Sequence, residues 1–427
     1  MSFRHHDGPK TAQVNSMDLK EELFNRAVSV LRSNSSKDGI KAASTVYNQI
    51  WSRDSFITLL GANMLEDPLL LEAAKNSLLV LGKSSSTLGM IPVNYDLDRN
   101  MPRFFHSGAT DASSWYIIGL ANLYSVTHDK ELLGKPLDYA TDAYRWLRYQ
   151  DTNNAVLIDS TPSSDWMDSS VKRQGKTLYN NVLFALSTKC INILCDVSGK
   201  SLDKRYRLEY EQVTEKFTAL FAPSDEARKS GQWPWLHDFD KDTLTDPPKG
   251  KLLYHPQFIT MNHVDMHFDS LSNLISVIAG LSSAEMSRSI MSYISSNRIA
   301  FPYPIKVMYP NYHADDPFFD KAYTERKPEH WRNNEDRYHN GGIWPFVGGF
   351  YVLALKKMGD PAFNKELENL AKANSLTKRQ GDPGFNEWLH GKTAAPLGQE
   401  GQSWNAGMYI AAYMADRGKD PFRFLKE

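Results

Sequence analysis

An alternation between two kinds of helix restricts the fold of this chain more than any other feature. Residues 17–33 place Leu19, Leu23, Ala27, Val28 and Leu31 at helical spacing with charges between them. A polar-aromatic stretch, 47–54, leads into an apolar one, 55–65, and a plainer amphipathic helix follows to residue 81. The cycle then returns. Motif 106–111 precedes apolar 112–127 and charged 129–149, and motif 163–168 precedes 178–197 and 202–220. Motif 262–267 precedes 271–281 and 284–295, and motif 338–346 opens a helix to 358, followed by 361–373. A last motif, 402–404, opens an apolar helix to 415.

About twelve helices in six pairs predict an all-α fold closed as an (α/α)6 barrel, apolar helices inside and amphipathic ones outside. The motif loops then share one end, where the N-termini of the inner helices aim N–H groups at a cavity. An open solenoid is the alternative, but the pairs keep no fixed period. Three connections interrupt the cycle, 223–260, 301–337 and 374–399. Their length and aromatic content predict walls or lids around a pocket.

No linker divides the chain, which predicts a polar arm over 1–16 and a single domain over 17–427. The arm has no apolar signal-peptide core, and no apolar run approaches the roughly 18 residues that span a bilayer. A net charge of -1 argues against nucleic acid or an anionic membrane as partner. Cys190 and Cys195 share one apolar segment but point to different helix faces. Buried free thiols and a cytoplasmic location are therefore expected.

The motif loops carry the chemistry, and each has two readings. Asp165-Trp166-Met167-Asp168 sets two carboxylates beside an indole, fit for proton transfer or for capping the next segment. Trp51-Ser52-Arg53-Asp54 is either an ion pair at a helix start or a hydroxyl-binding Asp oriented by Arg53. Tyr338 to Trp344 offers close backbone approach and a stacking indole, or a capped helix with a packed Trp. The stretch 384–406 puts Glu387 beside Trp388, then a Gly-rich turn, then Gln402-Ser403-Trp404. That is the composition of a sugar site, or an ordinary polar loop. His263 and His267 have the spacing of zinc ligands but lack the intervening Glu, so no metal is expected. No phosphate loop, nucleophile elbow or dinucleotide fingerprint is present, and no cofactor is expected.

Taken together, these motifs resemble a known set. The segment YNQIWSRD (residues 47–54) resembles the YNQxFxRDF of alkaline/neutral invertases and the WxRD of glycogen-debranching glucosidases. YHNGGIWP (residues 338–345) is similar to the HNGGxWP of the same relatives. Glu387 followed by Gln402-Ser403-Trp404 resembles the ending of family 63 glycosidases, including mannosylglycerate and glucosylglycerate hydrolases. The resemblance runs from Tyr47 to Met414. It implies the (α/α)6 barrel and an inverting mechanism, with Asp168 as general acid and Glu387 as general base. It implies Asp54 as a hydroxyl-binding acid, and Tyr47, Trp51, Tyr338, Gly341, Trp344 and Gln402 as pocket wall. Arg53, Asp111, Asp165, Trp166, His339 and Trp404, from the same motif loops, complete the expected substrate-binding set. Two positions depart from the pattern. Residues 385–390, FNEWLH, stand where invertases have WPEYYD, and Arg53 stands where family 63 members often have an aromatic. Glu400 is a second candidate base.

The expected function is an inverting exo-α-glycosidase that removes a terminal α-glucosyl or α-mannosyl unit from a small glycoside. Inversion needs room for water, with the two carboxyl groups about 6.5–9.5 Å apart. A glycerate-like leaving group would want a cation, for which Arg99, Arg103, Lys172, Arg173 and Arg326 are candidates. Amylo-α-1,6-glucosidase or invertase-like activity is the near alternative. A lyase or epimerase using His263, His267 or His339, and a non-catalytic sugar-binding barrel, are the others.

Overall fold

The computed structural model describes residues 18–43, 46–105, 109–223, 251–261, 263–329 and 332–426. The expected polar arm, His106 to Gly108 of the second motif, the Trp233–Trp235 segment with its acidic run, Asn262 and Trp331 lie outside the described residues. In chain order the helices are α1 (Leu19–Asn34), α2 (Ser52–Ala62), α3 (Pro68–Lys83), α4 (Thr110–Thr127), α5 (Lys135–Arg148) and α6 (Leu178–Ser198). There follow α7 (Tyr210–Phe221), α8 (Ser270–Ala279), α9 (Ala284–Ser296), the short α10 (Lys321–Arg326), α11 (Pro345–Met358), α12 (Phe363–Ser375) and α13 (Ser403–Asp416).

Local chemistry sets the helix ends. The side chains of Asp18, Asp67, Thr177, Asp269 and Ser283 accept from first-turn N–H groups of α1, α3, α6, α8 and α9. Gly199, Gly280 and Gly359 adopt the left-handed conformation that ends α6, α8 and α11. Three boundaries differ from the sequence expectation. Helix α2 begins at Ser52, which puts Arg53 and Asp54 in its first turn rather than in the loop before it. Helix α5 starts only at Lys135, because Gly134 separates it from the 3-10 turn Lys130–Leu133 and Pro136 in its first turn has no N–H to continue that turn. A reciprocal cap between Glu209 and Gln212 starts α7 at Tyr210, eight residues after the expected 202.

Helix α2 packs on α4, α4 on α6, α6 on α8, α8 on α11, α11 on α13, and α13 again on α2. Helices α1, α3, α5, α7 and α12 pack against members of this ring. The seam between α2 and α13 depends on two glycines. A Cβ on Gly61 would strike the Gly407 carbonyl, and one on Gly407 would lie 2.6 Å from the Thr58 carbonyl oxygen. The ring closes because both residues lack one.

Two expectations need correction. First, α6 is long and apolar enough, by length and composition alone, to cross a membrane. Its neighbours explain the apolarity, since α4, α5, α7 and α8 all pack on it. Second, the chain is mostly but not wholly helical. Ile50–Trp51 pairs with Asn94–Tyr95, which pairs with Met101–Arg103. Lys176–Thr177 pairs with Phe258–Ile259, and Phe268–Asp269 with Met308–Tyr309. Each first-named pair of residues directly precedes a ring helix: α2, α6 or α8. Strands of two residues are too short to show a period of two in sequence.

Candidate active site

Three of the six ring helices begin in an unusual way. Trp51, Trp344 and Gln402 occupy the N-cap positions of α2, α11 and α13, and none makes a side-chain cap hydrogen bond. All three instead line one cavity, of about 420 Å³ of empty space, with Tyr47, Arg53, Asp54, Trp166, Asp168, Tyr338, His339, Glu387 and Trp404. The positive ends of these helices therefore stay open to a polar ligand. A larger groove, about 1670 Å³, lies beside Asn153, Asp159 and Lys176. Asp54, Asp168 and Glu387 converge on the smaller cavity.

Aromatic rings form its floor. Trp166 meets Trp344 edge-on at 5.5 Å, Trp404 stacks on Phe346 at 4.1 Å, and His339 stacks on Trp344 at 5.3 Å. The Trp344 indole donates to the Tyr338 carbonyl at 2.9 Å, which fixes its plane. Trp166 Nε1, Trp404 Nε1 and Gln402 Nε2 are buried without a hydrogen-bond partner. Native structures rarely leave such donors unmet, and at a cavity wall they suit a hydroxyl-rich ligand.

Asp168 reaches this cavity from the loop before α6, its side chain 31% exposed. Desolvation by the surrounding protein pushes its pKa up to about 6, against the pull of Arg53 and with help from Asp111 and Asp165. Asp54, in the first turn of α2, is likewise pushed up to about 6 by burial. Glu387 is 4% exposed and is pushed up to about 7 by burial, with the charges of Asp54 and Asp168 adding to it. The Tyr47 hydroxyl donates to Glu387 Oε1 at 3.5 Å, and the Gln399 N–H donates to Oε2 at 3.1 Å. His339 is buried, and burial with nearby Arg173 and Arg53 drops its pKa well below the usual imidazole value.

Three expected contact residues stand behind the cavity rather than in its lining. Asp111 is sealed in α4 and pairs with Arg53 at 2.8 Å. Asp165 accepts from Arg173, whose other arm reaches Asp269, both at 2.5 Å. Gly341 has φ +87°, and a Cβ there would strike the Asn311 side chain. Its conformation serves the turn before α11.

Glu400 pairs with Lys378 at 2.5 Å, which holds its carboxyl below the usual range, and it does not line the cavity. His263 and His267 flank Asp265, at 3.6 and 3.0 Å, rather than a ligand. Among the described residues no group of three or more His, Cys, Asp or Glu is placed to hold a metal ion. Sequence reasoning missed Gly398, Gln399 and Lys327. The first two sit in the Gly-rich turn and shape Glu387, while Lys327 acts on Asp168 electrostatically from α10's C-terminal end. Arg173, expected as a cation for a leaving group, is consumed by its two buried aspartates.

Two or more raised carboxyl groups over an aromatic floor, on a ring of helix N-termini, are the equipment of a glycoside hydrolase, and comparison with known proteins agrees. The family model described as amylo-alpha-1,6-glucosidase matches residues 25–411, and the chain belongs to that family. Alkaline/neutral invertase C of Arabidopsis thaliana is 27% identical over 241 residues, 55% of this chain and 33% of that protein. Neutral/alkaline invertase 3 of Oryza sativa is 29% identical over 190 residues, 43% and 28% of the two chains. The chain thus spans about a third or less of the curated relatives it matches. Among solved structures, a family 63 mannosylglycerate hydrolase from Thermus thermophilus, in complex with Tris and D-glycerate, superposes with a TM-score of 0.63. It is 15% identical and covers 91% of this chain and 99% of its own. A bacterial glucoamylase complexed with acarbose has a TM-score of 0.58 and 14% identity, over 96% and 59%. At these identities the likeness is one of fold.

Proposed function

We propose that the chain is a single (α/α)6 catalytic domain over 17–427 and an inverting exo-α-glycosidase. Its substrate would be a terminal α-glucosyl or α-mannosyl unit on a small glycoside. Asp168 would protonate the glycosidic oxygen, and Glu387 would take a proton from the attacking water. Asp54 would bind sugar hydroxyls beside Arg53, and Trp166, Trp344 and Trp404 would face the ring. The observation that carries this reading is the pairing of Asp168 and Glu387. They come from separate loops, reach one cavity, and are both raised toward neutrality. The ring of inner helices supports the barrel.

The family match favours a second reading, release of α-1,6-linked glucose from an oligosaccharide. Little favours a lyase or epimerase. His339 is a weak base in its buried setting, and His263 and His267 are tied to Asp265. The buried free thiols of Cys190 and Cys195 fit a cytoplasmic protein.

Proton NMR of the protein with glucosylglycerate, mannosylglycerate, isomaltose, panose, sucrose, trehalose and kojibiose tests the assignment. First release of the β-anomer, lost in Asp168→Asn and Glu387→Gln, would establish reaction, stereochemistry and site together. Turnover kept in Glu387→Gln and lost in Glu400→Gln would move the base to Glu400. Release of the α-anomer first would overturn inversion.

A further inference from the structure

Arg53 lies between two carboxyl groups and engages them unequally. Its Nη1 is 2.8 Å from Asp111 Oδ2, while its Nη2 is 3.6 Å from Asp168 Oδ2. Asp111 is 0% exposed, so a ligand in the cavity does not touch it. The Tyr179 hydroxyl donates to the same Oδ2 at 3.4 Å, and itself accepts from Trp115 Nε1 at 2.9 Å. Arg53 sits on α2, Asp111 and Trp115 on α4, and Tyr179 on α6, three consecutive walls of the ring. Stability does not explain this arrangement. Buried ion pairs commonly do no better than apolar residues of the same volume. Asp111 Oδ1 and Arg53 Nε are moreover buried without hydrogen-bond partners.

We propose that Asp111 is a positioning residue: it anchors one arm of Arg53 so that the other faces Asp168, and its charge offsets the guanidinium field there. The proposal rests on the reading of Asp168 as the acid. An unbalanced guanidinium beside an acid holds it ionised, and an ionised acid cannot protonate a leaving oxygen. Asp168 is faced by Arg53, Asp54, Asp111, Asp165, Glu387 and Lys327, and by the phenol of Tyr338. Asp111 is faced by Arg53, Asp54, Asp165, Asp168, Arg173 and Tyr179. Asp165 is held by Arg173, which it shares with Asp269, whereas Asp111 pairs directly with Arg53 from behind the cavity.

Carbon-13 NMR titration of the aspartate carboxyls in the whole chain reads this directly, with Asp168 assigned by its loss in Asp168→Asn. Asp111→Asn is expected to lower the Asp168 midpoint by about one pH unit, and Arg53→Gln to raise it by about as much. Opposite signs are the signature, because a general loosening of the site moves both variants the same way. Asp111→Glu, which keeps the charge, should stay near the wild-type midpoint. If Asp111→Asn does not fold, a raised midpoint in Arg53→Gln with an unmoved one in Asp111→Glu supports the proposal. Midpoints that stay put, or that move together, overturn it. The role of Asp168 is tested separately with α-glucosyl and α-mannosyl fluoride, whose leaving group needs no proton. Asp168→Asn that hydrolyses a fluoride but not a glycoside supports the acid; equal loss removes that role and leaves the titration result standing.

Discussion

Gly398 is packed directly against Glu387. A Cβ built on Gly398 would lie 2.5 Å from the Glu387 Cβ, would press on Oε2, and would come 2.9 Å from Trp388 Cδ1. Its φ of +67° is one that side chains rarely adopt. The turn therefore needs glycine twice over, for its backbone and for the room it leaves the candidate base.

Gly398→Ala should accordingly lose both stability and activity. Gly401 provides the control, since it has φ +66° but only Pro383 Cγ, at 3.5 Å, near a built Cβ. Both alanine variants should be destabilised by about 1–2 kcal/mol, read as a lower Tm. Only Gly398→Ala should also lose about tenfold or more in kcat, because a small displacement of a catalytic group is enough for that. Equal kcat in the two variants would separate Gly398 from the chemistry.

The pH profile of kcat/KM should be a narrow bell. The proposed mechanism needs Asp168 protonated and Glu387 ionised, yet desolvation and neighbouring carboxylates bring their values to about 6 and about 7. The two groups share a proton in that interval, so the limbs belong to the pair. Asp54 raises Glu387, so Asp54→Asn should move the acid limb to lower pH. An acid limb that does not move, measured from pH 4 to 9 on a substrate from the NMR panel, would remove Asp54 from this cluster.

Glu387→Gln should be more stable than the wild type, by a margin that depends on pH. The folded carboxyl titrates near 7, the unfolded one near 4.5. Between those values the unfolded chain loses its proton first, so ionisation favours unfolding. Stability falls as pH rises through this window and stays reduced above it. The amide removes that cost, of order 1–3 kcal/mol above pH 7 and close to nothing at pH 4. Thermal unfolding at pH 4, 6 and 8 gives the comparison. A margin that is flat across the three would mean that Glu387 is not strained by its site.

Much of this was legible because the spacing of motifs and apolar stretches is local information. The six motif-then-helix units, and the loops bearing Asp54, Asp168, Trp344 and Glu387, needed only the order of residues. What escaped was the choice of partner. Arg53 stands beside Asp54 in sequence but bonds to Asp111, 58 residues away, because α2 and α4 are neighbours in the ring. Arg173 read as a free cation in a loop, yet Asp269 lies 96 residues on and holds its second arm. His263 and His267 read as polar wall rather than as metal ligands, but the order of residues does not show that both turn toward Asp265 between them. The start of α2 escaped for a related reason: Trp51 is a poor cap, and it sits at the N-terminus because it faces the cavity.

The buried triad behind Asp168 sets the last expectation. Among the described residues Arg173 is the one cation paired with Asp165 and Asp269, and each carboxylate also holds backbone. Asp165 accepts the Met167 N–H at 2.9 Å, one residue before Asp168, and Asp269 accepts the Ser272 N–H at 3.1 Å to start α8. Arg173→Met leaves two carboxylates sealed without a counter-charge, which costs about 3–5 kcal/mol. Thermal unfolding should show the loss, and it should grow with pH as Asp269, whose pKa burial raises, ionises. Adding Asp165→Asn and Asp269→Asn removes the stranded charge and should recover most of the Tm. Activity should return less completely than stability, because an amide at 165 no longer fixes the turn that presents Asp168 as a carboxylate does. Recovery of neither would mean that the triad is held by packing rather than by charge.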